Sequence, residues 1–341
     1  MTYAEILERA RAALSPRCTV CPVCNGRACA GRIPGPGGKG TGATAQRNFS
    51  YLAEHVKVEQ RVLRAPFETD CTLELAGKQF ATPIFAAPIG LIEGNYASHL
   101  TERTYAEAVV TGTQQAGSVA FTGGGSYDGC FLEPLEVIAQ AGGWGVPTLK
   151  PWRMELVEER IRLSEQAHAI AIAMDIDTAG LPHANKSTNA LLFKSQDDLR
   201  RIAEMTELPF FVKGIMTADE AVLAAEAGVY GIIVSNHGGR VLDDCPATQE
   251  VLADIVAAVD GRAKILVDGG IRTGSDVFKA LALGADAVLI ARPFVTAVYG
   301  AGADGVAAYT AQLGNELADT MRLCGAPTLD AITRDMVRVI K

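Results

Sequence analysis

Short apolar runs alternate along the chain with stretches in which apolar and charged residues recur at helical spacing. Eight such runs begin at intervals of about 29 residues, close to the length of one strand–helix unit. Strands covered on both faces read as continuous apolar runs. The pattern predicts an α/β protein folded as a closed (β/α)8 barrel; a doubly wound open sheet is the alternative. The runs are Pro83–Gly90, Ser118–Gly123, Gly145–Lys150, Ala169–Ile176, Pro209–Ile215, Val229–Asn236, Lys264–Gly270 and Ala287–Pro293.

The remaining segments define the predicted organisation. Residues 1–45 hold a helical pattern, four cysteines and the Gly-rich segment Gly35–Gly42, and residues 46–341 are predicted to form the barrel. Within the barrel, Thr217–Glu220 and Thr273–Asp276 carry helix-capping patterns. The long polar connection Thr178–Lys194 is predicted to be a lid or a binding loop.

Composition and charge exclude several classes of protein. Hydrophobic residues make up 48% and charged residues 21%, which argues against extended disorder. The net charge of −8 lacks the basic footprint of a nucleic-acid-binding protein. No apolar stretch is long enough to span a membrane, and the first residues mix Glu with Arg instead of forming a secretory signal. A cytoplasmic location is therefore predicted.

Candidate catalytic residues lie where the predicted strands end, which is where barrels carry their chemistry. His237 can take a proton and Arg240 can bind a carboxylate through two parallel hydrogen bonds, although a His held only by its turn is the alternative. Asp175 is a candidate partner for His237, but Asp177 lies on the same side of the chain and spacing does not choose between them. Lys213 could stabilise a developing anion or form a structural ion pair.

The last two predicted strands end in residues suited to a phosphate. Gly269, Gly270 and Arg272 follow the seventh strand, and Arg292 follows the eighth. In barrels these two loops often bind phosphate through backbone N–H groups at a helix N-terminus. A phosphate-bearing cofactor or substrate is predicted, whereas no Gly-x-Gly-x-x-Gly fingerprint follows the first strand.

Four segments together resemble the FMN-dependent α-hydroxy-acid oxidase and dehydrogenase family, which includes glycolate and lactate oxidases. They are Pro83–Gly90, Val212–Ile215, Val234–Arg240 and Asp268–Ala285. The resemblance extends from about residue 46 to the C-terminus and is strongest after Pro209. It implies oxidation of an L-2-hydroxy acid to the 2-oxo acid, with electrons passing to flavin N5 and then to oxygen, a quinone or a protein. It also implies a homo-oligomer, by analogy a tetramer.

The resemblance implies a role for each matching residue. His237 would be the base, Asp175 rather than Asp177 its partner, Arg240 the ligand of the substrate carboxylate, and Lys213 the stabiliser of the reduced flavin. The residues implied to contact FMN are Pro88, Ile89, Gly90, Thr122, Thr148, Lys213, Ser235, Asp268, Gly269, Gly270, Arg272, Ala291 and Arg292.

The chain departs from the family where substrate is recognised. No Tyr occurs between Tyr3 and Tyr51, Pro182 stands where the family has Arg, and Ala291 replaces a Gly. Lys150 stands in place of a Tyr and is a candidate second cation for the substrate carboxylate. An FMN-barrel isomerase, such as the type 2 isopentenyl-diphosphate isomerases, and a non-catalytic flavin-binding or phosphate-binding barrel are the alternatives. The intact His–Arg pair argues against the isomerase.

Cys18, Cys21, Cys24 and Cys29 lie outside the family pattern. The first three have spacing typical of iron–sulfur ligands, and four thiolates could also bind zinc. A metal or cluster site is therefore a prediction, and a loop with free thiols is the alternative.

Overall fold

The computed structural model describes residues 2–33, 35–181 and 189–340. Eight parallel strands follow one another around a barrel, so the predicted (β/α)8 fold is confirmed. Among the described residues the strands are β1 (Val56–Val58), β2 (Leu73–Leu75), β3 (Lys78–Phe80), β4 (Ile84–Ala86), β5 (Phe121–Thr122), β6 (Val146–Leu149), β7 (Ile172–Asp175), β8 (Phe210–Ile215), β9 (Gly231–Val234), β10 (Lys264–Asp268), β11 (Ala287–Ile290) and β12 (Val337–Val339).

The barrel consists of β4 to β11, in the order β4-β11-β10-β9-β8-β7-β6-β5. A bridge between Ala86 and Ala120 joins the two ends of this sheet. Antiparallel pairs β1–β12 and β2–β3 lie outside it. The predicted runs supplied all eight strands.

Helices separate the barrel strands and cover their outer face. They are α1 (Tyr3–Leu14), α2 (Ala43–Glu54), α3 (Ile92–Asn95), α4 (Glu102–Gln115), α5 (Gly129–Gln140), α6 (Met154–Gln166), α7 (Gln196–Glu204), α8 (Ala218–Glu226), α9 (Thr248–Val259), α10 (Gly274–Ala282) and α11 (Arg292–Cys324). No described helix is long and apolar enough to cross a membrane.

Barrel strands are apolar throughout because both of their faces are covered. Along β4, Ile84 and Ala86 belong to the large core between strands and helices, whereas Phe85 belongs to a second cluster. Ring contacts of Phe121 with Phe85 at 6.3 Å and with Phe211 at 5.8 Å connect three strands within this cluster. The second cluster therefore fills the inside of the barrel below the strand ends.

The N-terminal residues pack against the barrel at several places. Helix α1 packs on α11, where the rings of Tyr3 and Tyr309 stack with centroids 4.6 Å apart. Further on, the backbone N–H of Lys39 donates to the carbonyl of Gly239 at 2.6 Å, at the carboxyl end of the barrel. Residue 45, the predicted boundary, lies inside α2. The Gly-rich segment is thereby held over the end where the candidate residues lie.

The two capping predictions have different outcomes. Thr273 and Asp276 form the reciprocal bonds of a capping box at α10. Thr217 begins α8 without a side-chain bond to the backbone, so its predicted box is absent. In the predicted lid, residues 182–188, including Pro182, lie outside the described residues.

Candidate active site

A pocket opens at the carboxyl end of the barrel strands, with about 1460 Å³ free of protein atoms when its open mouth is included. The structure brings most predicted site residues to this pocket. Those lining it are Pro88, Ile89, Gly90, Lys150, Asp175, Lys213, His237, Arg240, Asp268, Gly269, Gly270, Arg272, Ala291 and Arg292. Thr122, Thr148 and Ser235 are buried behind this lining.

Asp175 lies between two lysines at the end of β7. Its Oδ2 is 2.7 Å from Nζ of Lys150, and its Oδ1 is 3.0 Å from Nζ of Lys213. Burial alone would raise the pKa of Asp175, but the charges of Lys150 and Lys213 hold it well below its usual range. Burial would likewise lower the pKa of Lys213, but Asp175 and Asp268 raise it. Asp175 and Lys213 therefore each stabilise the charged form of the other in a buried site.

Asp177, not Asp175, is the residue at hydrogen-bond distance from His237. Nδ1 of His237 lies 3.3 Å from each carboxylate oxygen of Asp177. A ligand oxygen of Asp175 is also within 4.8 Å of the imidazole, but its carboxylate contacts the two lysines. The predicted Asp175–His237 pairing is thus corrected, because the buried cations take the Asp175 carboxylate.

Ser235 connects His237 to Asp268 from behind the pocket. Its hydroxyl donates to Oδ2 of Asp268 at 2.9 Å and accepts from the backbone N–H of His237 at 3.1 Å. Asp268 lies 3.6 Å from Lys213, and burial raises the pKa of this carboxyl. The serine therefore fixes the turn that carries His237.

Arg240 is half-buried at the pocket wall, with its guanidinium held by two acceptors. It donates to the carbonyl of Gly35 in the Gly-rich segment and to Oδ1 of Asn95 at 3.3 Å. Burial lowers its pKa. An arginine held by neutral oxygens in an apolar wall still carries its charge, and it can bind an anion with little loss of side-chain entropy.

The predicted phosphate residues lie together, but Arg272 points differently from the prediction. Its Nε donates to the carbonyl of Cys24 at 3.0 Å, and its Nη2 lies 3.6 Å from the Cys24 sulfur. The N-terminal segment thus supplies acceptors that the sequence did not place there. A side chain on Gly270 would come within 1.8 Å of the Asn48 carbonyl, so only glycine fits this turn below Arg292.

The donors around the pocket fit FMN. Cationic side chains that suit a phosphate or an anionic ring come from several strand ends, namely those of Lys213, Arg272 and Arg292. The buried hydroxyl of Thr148 has no hydrogen-bond partner within the described part of the chain. Buried polar groups are normally satisfied, so this hydroxyl leaves hydrogen-bonding capacity next to the pocket lining at Gly124.

The four clustered cysteines are half-buried free thiols. Four thiolates about 2.3 Å from one zinc ion lie well within 4.8 Å of one another. Among the described residues, the ligand atoms that lie within 4.8 Å of one another in a group of three or more belong to Asp175, Asp177 and His237. This group contains no cysteine. The structure therefore gives no support to the predicted zinc ion, and no observation supports the predicted iron–sulfur cluster.

Some pocket residues had no individual prediction. Asn95 and Tyr96 line the pocket at the end of the short helix α3, and Leu181 and Leu191 line it from within the predicted binding loop Thr178–Lys194. Asn48 makes reciprocal amide bonds with Asn236 at 2.7 and 2.8 Å. No motif marked these residues, because their roles depend on loops that meet only in the folded chain.

The chain is similar over most of its length to known proteins of one family. The family model for FMN-dependent dehydrogenase matches residues 36–196 and 183–339. 2-Hydroxyacid oxidase 2 of Bos taurus is 31% identical over 334 residues, covering 89% of this chain and 92% of that protein. A peroxisomal (S)-2-hydroxyacid oxidase of Arabidopsis thaliana is 55% identical over 144 residues, which is 42% of this chain and only 40% of that protein.

Solved structures agree with the fold assignment. A crystal structure of mandelate oxidase superposes with a TM-score of 0.81 at 30% identity, covering 98% of this chain and 97% of that one. A mandelate oxidase variant with an FMN adduct has a TM-score of 0.74 at 33% identity and covers 89% of this chain and 96% of that one.

Proposed function

Since the chain belongs to the FMN-dependent dehydrogenase family, we propose that it oxidises an L-2-hydroxy acid to the 2-oxo acid with FMN as its cofactor. The observation that carries this proposal is the placement of His237 and Arg240 in one pocket with the buried, charged Lys213. A proton acceptor, a carboxylate ligand and a stabilising cation are the three groups that this oxidation requires.

Arg240 would bind the carboxylate of the substrate. Its guanidinium presents a planar fork that matches a carboxylate, and the contacts with Gly35 and Asn95 hold it in place. Lys150 lines the same pocket and adds a second positive charge, although Asp175 balances it. We propose Arg240 as the main ligand of the carboxylate, with Lys150 supporting the electrostatic potential around it.

His237 takes the proton that leaves the substrate. With Nδ1 donating to a carboxylate, Nε2 has a free lone pair and can accept the proton. The imidazolium formed in this way lies beside that carboxylate, which stabilises its charge. When bound, FMN would accept the two electrons of the oxidation.

The residues that would hold FMN lie in the loops after β4, β10 and β11 and in β8. Pro88, Ile89 and Gly90 would contact the ring, and Lys213 would stabilise its reduced, anionic form. Gly269, Gly270 and Arg292 would bind the phosphate. Arg272 belongs to this proposed group because it lines the pocket, although its guanidinium donates to the carbonyl of Cys24.

Anaerobic mixing of the flavin-loaded protein with a panel of L-2-hydroxy acids tests the proposed activity. Lactate, glycolate and mandelate vary the side chain while keeping the carboxylate and hydroxyl. Loss of the yellow flavin absorbance with at least one of them is expected, along with formation of the 2-oxo acid. Bleaching by dithionite but by no 2-hydroxy acid would contradict the proposal and favour the non-catalytic barrel. The matched relatives and structures described above are named oxidases, which does not favour the isomerase alternative.

Two finer statements stay predictions. They are the homo-oligomeric state and the cytoplasmic location. Two matched plant proteins are named peroxisomal, which is a property of those proteins. The predicted metal at the four cysteines is not part of the proposed function.

A further inference from the structure

We propose that Asp177 is the carboxylate that positions His237, while Asp175 serves the buried lysines. This inference rests on the proposed function, in which His237 is the base. Both oxygens of Asp177 lie 3.3 Å from Nδ1 of His237. An ionised carboxylate only accepts hydrogen bonds, so Nδ1 must carry the proton of this contact. Asp177 therefore selects the tautomer whose Nε2 is free.

Asp175 is not free to play this part. One of its oxygens lies 2.7 Å from Lys150, the other 3.0 Å from Lys213, and all three side chains are buried. Separating a buried carboxylate from a lysine leaves uncompensated charges in a medium of low dielectric. The two lysines therefore hold Asp175 more strongly than a neutral imidazole could. His237 instead pairs with the carboxylate two residues further along the chain.

The neighbouring strand is shaped to admit Asp177. Gly214 has φ of +109°, and a side chain there would place its Cβ 2.7 Å from the Cβ of Asp177. The pairing of β8 with β9 shifts register between Lys213 and Ile215, at this same glycine. A bulge with a positive-φ glycine re-aims the backbone and leaves room beside it. The space is occupied by Asp177, which is only 13% exposed along its side chain.

Lys150 explains why two carboxylates are needed. A buried lysine requires a negative partner, and Asp175 is that partner at the end of the adjacent strand β7. With Asp175 engaged, the imidazole of His237 would have no carboxylate to fix its tautomer without Asp177. We infer that Lys150 and Asp177 depend on each other: Asp175 neutralises the buried lysines, and Asp177 is the carboxylate that remains for His237.

Nitrogen-15 NMR of histidine-labelled, FMN-bound protein tests the assignment without relying on turnover. The His237 signals, identified by their loss in His237→Gln, are expected to show the Nδ1–H tautomer. Asp177→Asn should shift His237 toward a mixture of tautomers. Asp175→Asn, the matched control, should leave its tautomer unchanged. The opposite outcome, a shift in Asp175→Asn and none in Asp177→Asn, would overturn the proposal.

Flavin reduction supplies the second readout. Asp177→Asn is expected to slow anaerobic bleaching by about 10- to 100-fold, while the substrate concentration at half-maximal rate stays unchanged. Asp177→Glu should recover part of the rate, since a carboxylate is restored. Retention of FMN shows that each variant folds. If Asp177→Asn loses FMN, Gly214→Ala provides the test, because its methyl group should displace Asp177 and mix the tautomers.

The two readouts separate this inference from the proposed function. If no 2-hydroxy acid bleaches the wild-type flavin but Asp177→Asn alone changes the tautomer, the pairing stands and the proposed substrate class fails. If the wild type is bleached and Asp177→Asn matches it in rate and tautomer, the pairing fails and the proposed function stands.

Discussion

The backbone N–H of Ile92 donates a 2.6 Å hydrogen bond to the buried carboxyl of Glu102. Ile92 begins α3, directly after the loop that forms part of the pocket wall. Burial raises the pKa of Glu102 to about 7, and the bond from Ile92 opposes only part of that rise. This loop is therefore attached to the barrel by a carboxyl group that titrates near neutral pH.

Glu102 is expected to make folding stability depend on pH. Its pKa is higher in the folded protein than the ordinary value of 4.5, so its protonation favours folding at low pH. That contribution, up to about 3 kcal/mol, should decline as pH rises through about 7. Denaturant unfolding from about pH 5 to about pH 8 should show a steeper loss of stability in the wild type than in Glu102→Gln. Glu107→Gln, an exposed change further along α4, should follow the wild type; equal slopes in all three proteins would contradict this expectation.

Replacing Lys150 should cost stability because Asp175 would keep only one of its two cations. We expect Lys150→Met to lower the free energy of unfolding by about 2–3 kcal/mol, less than the loss of an entire buried pair. The matched control is Lys264→Met, which breaks a 2.9 Å ion pair between Lys264 and Asp286. The side chain of Lys264 is 45% exposed. That change should cost less than about 1 kcal/mol. Similar losses in the two variants would show that Lys150 is not held as the structure indicates.

Removing the base should stop the proposed reaction without removing the cofactor. His237→Ala is expected to keep FMN bound but to abolish bleaching by the best substrate. Among the described residues that line the pocket, no second imidazole is present to accept the proton. His168→Asn is the control, since His168 is exposed and precedes β7 at the opposite end of the barrel. Normal bleaching in His237→Ala would show that another group is the base.

Arg240→Lys tests whether the guanidinium fork, and not charge alone, binds the substrate. Loss of one charge-assisted hydrogen bond of about 1.5–3 kcal/mol corresponds to about 10- to 100-fold weaker binding. The substrate concentration at half-maximal bleaching rate should rise by that factor, with a smaller effect on the limiting rate. Arg262→Lys, a change at a residue whose side chain is 44% exposed, should have no effect. An unchanged half-saturation in Arg240→Lys would place the carboxylate elsewhere.

The sequence predicted the barrel because its strand segments are apolar on both faces, a property that can be read from each segment alone. Ala169–Met174, for example, is apolar without interruption. This signal requires only that both faces of the strand are covered, whatever the sequence of the covering elements. The polar residues that follow these runs were found for the same reason, since strand ends of a barrel share one face. Leu181 and Leu191 were predicted only as part of the binding loop Thr178–Lys194. Asn95 and Tyr96 carried no comparable signal, because the short segment that contains them reaches the pocket only in the folded chain.

The sequence by itself determined the strand order, the end of the barrel that carries the chemistry, and the presence there of His237, Arg240 and Lys213. It left Asp175 and Asp177 as rivals, since period-two alternation places both on one side. The tertiary structure decided between them through the positions of Lys150 and Lys213, which lie on other strands and whose charges compete for one buried carboxylate. It also placed the Gly-rich segment over Arg240, through a contact between residues 205 positions apart. Electrostatic partners at such distances are set by the closed barrel, and no local pattern encodes them.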